Sequence, residues 1–419
     1  MPENLNVYLH NDLVGRLVQR PGGGLQFSYV ESWLENPSAV PLSQSLPLRA
    51  PRFQRKECQG FFAGVLPDEA KREIIARNLG ISARNDFAML ERIGGECAGA
   101  VTFLPAGQPL PARNDDYRTL TPVQLAAILK ELPKRPLLAG DEGIRLSLAG
   151  AQDKIAVRME EGQVCLPLGG APSTHILKPA VDRFEDVVFN EALCMNLAAE
   201  AGLPAAAVIT RRVQGVDYLL VERYDRIHRQ MPGSEPKLER LHQEDFCQAL
   251  GLVPEHKYQK EGGPSLKQCF RLVREVSTAP VVDLVRLLEA VIFNYLVGNN
   301  DAHGKNFSLL YHGAGAAERT SRLAPLYDVV STVYYPELSR SMAMRIGDEY
   351  QSEKVTTGNF DQLAEEAGLA KPMVRARVPE MAERVLAALQ RVEIRNTAAE
   401  RVADLIRRRS TKVLDGFRR

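Results

Sequence analysis

The stretch that most constrains this chain is an apolar segment, LLEAVIFNYLVG, running directly into GNNDAHGKNFSLL at residues 298–310. The apolar residues leave no polar face, so the segment predicts a core helix over 283–297. Asp301, His303 and Asn306 are then presented before the next apolar run. An Asp and an Asn five residues apart at the end of a helix suit phosphoryl transfer. The carboxylate can accept a hydrogen bond from an incoming hydroxyl, and the amide oxygen can ligate magnesium.

Protein kinases separate the same two residue types by the same interval in HRDxxxxN. Their histidine precedes the Asp, whereas His303 follows Asp301, so it cannot take that part by position. Further on, RLAPLYDVVS (322–331) reads as an apolar strand ending on a second carboxylate, Asp328. A metal-binding Asp after the catalytic loop is the second requirement of such a site.

The segments before this point are richer in strands. NVYLHNDLVGRLVQ and GLQFSYV predict an antiparallel meander broken by Pro21 and Gly22–Gly24. Helices are expected over 68–80, with an acidic start and a Gly stop, and over 85–93. Residues 105–118 read as a Pro-rich linker, and Thr121-Pro122 opens a helix reaching Leu132. Strands follow from 145 through HILKPA, then a helix over 185–201, then strands at VIT and YLLVERYDR. Residues 228–240 carry Pro, Gly and charge and predict a surface loop. Beyond about 240 the chain reads as mostly helical, with 371–415 a clear segment.

Such a site also needs a cation for the phosphates and a loop to cover them. Lys178, in an apolar strand setting, can supply the first, and Glu191 on the following helix can pair with it. An ordinary edge-strand lysine is the plain alternative. SLAGAQDK brings small residues, Ala149, Gly150 and Ala151, between apolar stretches, which lets backbone N–H groups approach phosphates. It matches neither GxxxxGK[ST] nor GxGxxG. The basic end, IRRRSTKVLDGFRR, reads as a solvated face or as a contact for DNA phosphates.

A net charge of +1 demands neither nucleic acid nor an acidic membrane. Six cysteines without a CxxC pair read as small core residues in a reducing compartment. No signal peptide or membrane span is visible, so the expected location is the cytoplasm.

SLAGAQDK, HILKP, NEALCMNLA, VERYDR, GNNDAHGKNFS and LAPLYDVVS, in this order, resemble the HipA family of toxin kinases. FFAGVLPDEAKREIIARNLG and LERIGGECAGAV resemble that family's N-terminal domain, so the likeness spans nearly the whole chain. It implies an α+β, bilobal protein-kinase-like fold with an N-terminal β-rich module at 1–120. An N-lobe with the ATP loop is expected at 121–226 and a mostly helical C-lobe at 227–419. It implies Asp301 as catalytic base and Asn306 and Asp328 as Mg2+ ligands. It implies ATP contacts from Ala149, Gly150, Ala151, Gln152, Lys154, Lys178, Glu222, Tyr224, His303, Lys305 and Asn306. Ser147 matches the loop serine that such kinases autophosphorylate. The implied partners are a HipB-like helix-turn-helix antitoxin, operator DNA through that complex, and a protein acceptor such as an aminoacyl-tRNA synthetase. A small-molecule or lipid kinase of the same scaffold and a non-catalytic ATP-binding corepressor are the competing readings.

Overall fold

The computed structural model describes residues 4–110, 116–180, 184, 186–229, 237–313 and 315–417. The chain divides into two compact units: 1–179 with 211–255 and 310–320, and 180–210 with 256–309 and 321–419.

In the first unit the expected meander forms. Leu25–Tyr29, Asp12–Gln19, Asn4–Leu9 and Val101–Pro105 lie side by side in one antiparallel sheet. Alternation selects the buried face: Leu5, Val7 and Leu9 point inward while Asn4, Asn6 and Tyr8 do not. Phe27, Phe53, Phe62 and Phe103 pack on that face in tilted and edge-on contacts. Three helices follow, Arg55–Gly64, Glu69–Leu79 and Asp86–Ile93. Gly80 ends the second in the left-handed conformation (φ 66°), and Asn85 caps the third through its side chain.

A second sheet in this unit has His175–Pro179 between Val216–Glu222 and Ile155–Glu160. Gln163–Pro167 and Tyr117–Thr119 continue it. The expected helix after Thr121 spans Pro122–Glu131 with a full capping box to Gln124. The loop expected over 228–240 is corrected at both ends. Arg226–Arg229 pairs antiparallel with Lys237–Arg240, and 230–236 lie outside the described residues, as do 111–115 of the expected linker.

In the second unit the core helix runs Pro280–Val297, with Leu287, Leu288, Ile292, Phe293, Leu296 and Val297 fully buried. Its apolar surround is met by helices Leu266–Val276, Lys371–Ala388 and Thr397–Phe417, and Val187–Glu200 packs on the last two. The single segment expected over 371–415 is therefore two helices. Arg409, within the basic run, does not face solvent: its guanidinium donates to the carbonyls of Tyr295 and Leu296 at 2.8 and 3.2 Å. It thereby adds side-chain donors to carbonyls in the last turn of the core helix. Asp283, near the start of that helix, is fully buried and accepts bonds from Ser277, Arg322 and the Leu323 amide. Among the described residues no helix is long and apolar enough to cross a membrane.

Candidate phosphotransfer site

The core helix ends on Gly298 at φ 74°, a conformation that lets the chain reverse direction at once. The next residues are tied down individually. Asn299 bonds back to Asn294 through both backbone and side chain at 2.8 Å. The Asn300 amide donates to Thr332 Oγ1 at 2.8 Å, and its carbonyl accepts from the Ala343 amide at 2.7 Å. Asp301 is held by its own N–H to Asn299 Oδ1 at 3.1 Å, which leaves its carboxylate exposed. Tyr258 donates its hydroxyl to Asp301 Oδ1 at 2.8 Å, and its ring meets His303 edge-on.

A short helical turn, Gly304–Asn306, carries the asparagine back beneath this loop. Asn306 accepts the His303 amide on Oδ1 at 3.2 Å and donates Nδ2 to Asp328 Oδ2 at 3.4 Å. The two residues expected to ligate the metal, 22 apart in sequence, are thus brought into contact. Asn306 is buried, and so are His303 and Lys305.

Asp328 departs from expectation. It does not end a strand: the nearest one, Thr320–Leu323, stops earlier, and Asp328 sits in irregular backbone at φ 57°. A non-glycine residue held in that region is strained, and such strain gathers at functional sites. The surrounding backbone is over-determined. Tyr327 donates to the Lys305 carbonyl at 2.7 Å, and Asn190 clamps both backbone groups of Ser331 at 2.8 and 3.1 Å.

The other residues named from the sequence, Glu191 excepted, lie in the first unit. Lys178 is buried, in a strand paired on both sides, which excludes the edge-lysine reading. Glu191 is also buried, on the Val187–Glu200 helix of the second unit. Ala149, Gly150, Ala151 and Gln152 form the loop before Ile155–Glu160. Gly150 has φ 109°, a backbone conformation that residues with a side chain rarely adopt, and a Cβ there would displace Lys154 Nζ, 2.6 Å away. Lys154 is turned onto the loop, donating to the Ala149 carbonyl at 2.7 Å. Gln152 Nε2 is buried with no hydrogen-bond partner among the described residues, a donor suited to an anionic oxygen at this loop. Ser147 is fully buried and donates to the Val65 carbonyl at 2.9 Å.

Glu222 is exposed at the end of its strand, and Tyr224 donates to Gln243 Oε1. Between them Arg223 enters a buried charge cluster. It bonds Glu96 Oε2 at 3.0 Å and Asp225 Oδ2 at 2.8 Å, while Arg226 joins the same two carboxylates. Burial pushes the Glu96 and Asp225 carboxyls up, but the two guanidiniums outweigh it and hold both below the usual carboxylate range.

Tyr258, Asn190 and Tyr327 are the supporting residues that sequence reasoning missed. Asn190 alone left a trace, as an amide inside an otherwise apolar helix.

Residues 5–104 match the HipA N-terminal domain and residues 146–389 the HipA-like C-terminal domain. The chain belongs to the HipA family. The provisionally named kinase Y4mE of Sinorhizobium fredii is 47% identical over 392 residues, 93% of this chain and 91% of that protein. The serine/threonine-protein kinase toxin HipA of Shewanella oneidensis is 29% identical, covering 87% of this chain and 83% of its own length. The structure of Shewanella oneidensis HipA with HipB and operator DNA superposes with a TM-score of 0.83 at 26% identity, over 99% of this chain and 98% of that one. The fold is thus the α+β HipA fold.

Proposed function

We propose that this protein is an ATP-dependent serine/threonine-protein kinase and the toxin of a toxin–antitoxin pair. Asp301 accepts the proton of an acceptor hydroxyl as its oxygen bonds to the γ-phosphorus of the substrate ATP and ADP leaves. Asn306 and Asp328 hold Mg2+, which when bound neutralises charge on the phosphate oxygens. Lys178 pairs with the phosphates. Ala149, Gly150, Ala151 and Gln152 cover the phosphates with N–H donors, Lys154 stands beside them, and Glu222 and Tyr224 meet the adenine. The observation that carries the reading is the Asn306–Asp328 bond, formed across 22 residues, with the exposed Asp301 five residues before Asn306.

The acceptor is a protein serine, with an aminoacyl-tRNA synthetase the favoured target, and Ser147 is a self-modification site. The similar Shewanella chain is seen with HipB and operator DNA, which supports a HipB-like helix-turn-helix partner here and DNA reached through that complex. The location is cytoplasmic. Intact-mass and peptide spectrometry after incubation with Mg·ATP tests the reading. One added phosphate is expected on Ser147 in the native chain and none in Asp301→Ala or Asp328→Ala. Nucleotide binding without any phosphate transfer would overturn it in favour of a corepressor.

A further inference from the structure

The loop Ser147–Lys154 is held at both ends by the N-terminal module, and the second hold is an ion pair that the chemistry above does not use. At the near end, Leu146 and Ser147 pair in parallel with Glu96 and Cys97, and the Ser147 hydroxyl donates to the Val65 carbonyl. In the middle, Gly150 bridges Pro67, and its carbonyl accepts the Asp68 amide at 3.3 Å. At the far end, Lys71 Nζ meets Asp153 Oδ1 at 2.5 Å, with the Asp153 side chain 4% exposed and that of Lys71 16%. Lys71 stands on the Glu69–Leu79 helix, which is itself fixed by the buried pair of Arg72 with Asp86.

We propose that Lys71 is a positioning residue for nucleotide binding, holding the phosphate-covering loop through Asp153. This rests on the reading of that loop given above. The two holds bracket Leu148–Gln152, whose backbone N–H groups must all point one way to receive phosphate oxygens. A five-residue stretch with glycine at its centre has many other conformations, and each must be given up on binding. Asp153 is too deeply buried to be satisfied by water alone, so without the ammonium the far end comes away from its seat. Apparent affinity then falls by the fraction of molecules whose loop stays formed.

The test uses the full chain, Mg·AMP-PNP as the probe, and hydrogen–deuterium exchange of the 148–152 amides. Lys71→Ala is expected to weaken nucleotide binding about ten-fold and to speed exchange in 148–152 by a similar factor. Exchange in the core helix Pro280–Val297 stays unchanged, which separates loop release from general destabilisation. Lys71→Arg retains most of the affinity, and exchanging the charges as Lys71→Asp with Asp153→Lys recovers part of what either single change loses. At saturating ATP, kcat falls less than two-fold because bound nucleotide reforms the loop. Native-like affinity and exchange in Lys71→Ala overturn the proposal while leaving the phosphotransfer reading intact. A native chain that binds no Mg·AMP-PNP overturns both.

Discussion

Glu96→Gln removes one carboxylate from a cluster in which every charged side chain is about 1–2% exposed. In the native chain, Glu96 and Asp225 share the guanidiniums of Arg223 and Arg226, and Ser173 donates to Glu96 at 3.2 Å. After the change, Asp225 is the only carboxylate left in that set to balance two buried cations. Breaking a buried pair from one side costs about 3–5 kcal/mol, because the partner charge is left without compensation. For a unit of a few hundred residues each kcal/mol moves the midpoint roughly 2–4 °C, so a fall of about 6–20 °C is expected. The assay is thermal unfolding followed by the fluorescence of Trp33, the single tryptophan, which is buried in the same unit. The control is Glu57→Gln, which removes an exposed pair with Arg49 and is expected to leave the midpoint where it was. A Glu96→Gln midpoint within about 2 °C of native would refute the reasoning, since a fully desolvated charge cannot lose its partner at that cost. Arg223 lies between Glu222 and Tyr224, so the variant is also expected to bind ATP more weakly than the native chain.

Gly298→Ala introduces a Cβ 2.3 Å from Val333 Cγ2 at a residue with φ 74°, and is expected to destabilise the second unit by more than about 1 kcal/mol, read by urea unfolding. It also lowers phosphate transfer, because the displaced backbone leads directly into Asp301. Asp283 supplies a pH dependence. Burial pushes its carboxyl up, but bonds from Arg322, Ser277 and the Leu323 amide together hold it below its ordinary value. Its contribution is therefore complete above about pH 4 and is lost as pH falls through the depressed folded value. Asp283→Asn is expected to be less stable than native at pH 7, with the difference shrinking below about pH 4 in denaturant titrations. A constant difference down to pH 2 would contradict that assignment.

What was legible in the sequence was local. The Thr121 capping box, the Gly80 stop and the alternation of Asn4–Leu9 each depend on residues a few positions apart, and each element formed as read. Asp301 and Asn306 likewise stood out locally, five residues apart, and one loop and one helical turn carry them. What escaped depends on partners distant in sequence. Tyr258 reaches Asp301 across 43 residues, Lys71 reaches Asp153 across 82, and Asn190 clamps Ser331 across 141. Asp328 reads as a strand end because its neighbours are apolar, yet contacts from Lys305 to Tyr327 and from Asn190 to Ser331 bend the backbone into a left-handed turn. The strand pair at 226–240 was hidden by the Pro, Gly and charged residues between its arms. In the basic C-terminal run Arg408 and Lys412 are exposed, as a solvated face requires, whereas Arg409 departs from that reading because its partner is the far end of another helix.

Asp301 is expected to carry out transfer without being needed to bind the nucleotide. Single-turnover transfer of labelled γ-phosphate to protein, measured alongside the dissociation constant for Mg·ATP, separates the two in native and Asp301→Ala chains. Transfer is expected to fall at least about a hundred-fold, the low end for a positioned general base, with the dissociation constant changed less than about three-fold. Transfer persisting within ten-fold of native in Asp301→Ala would contradict the account.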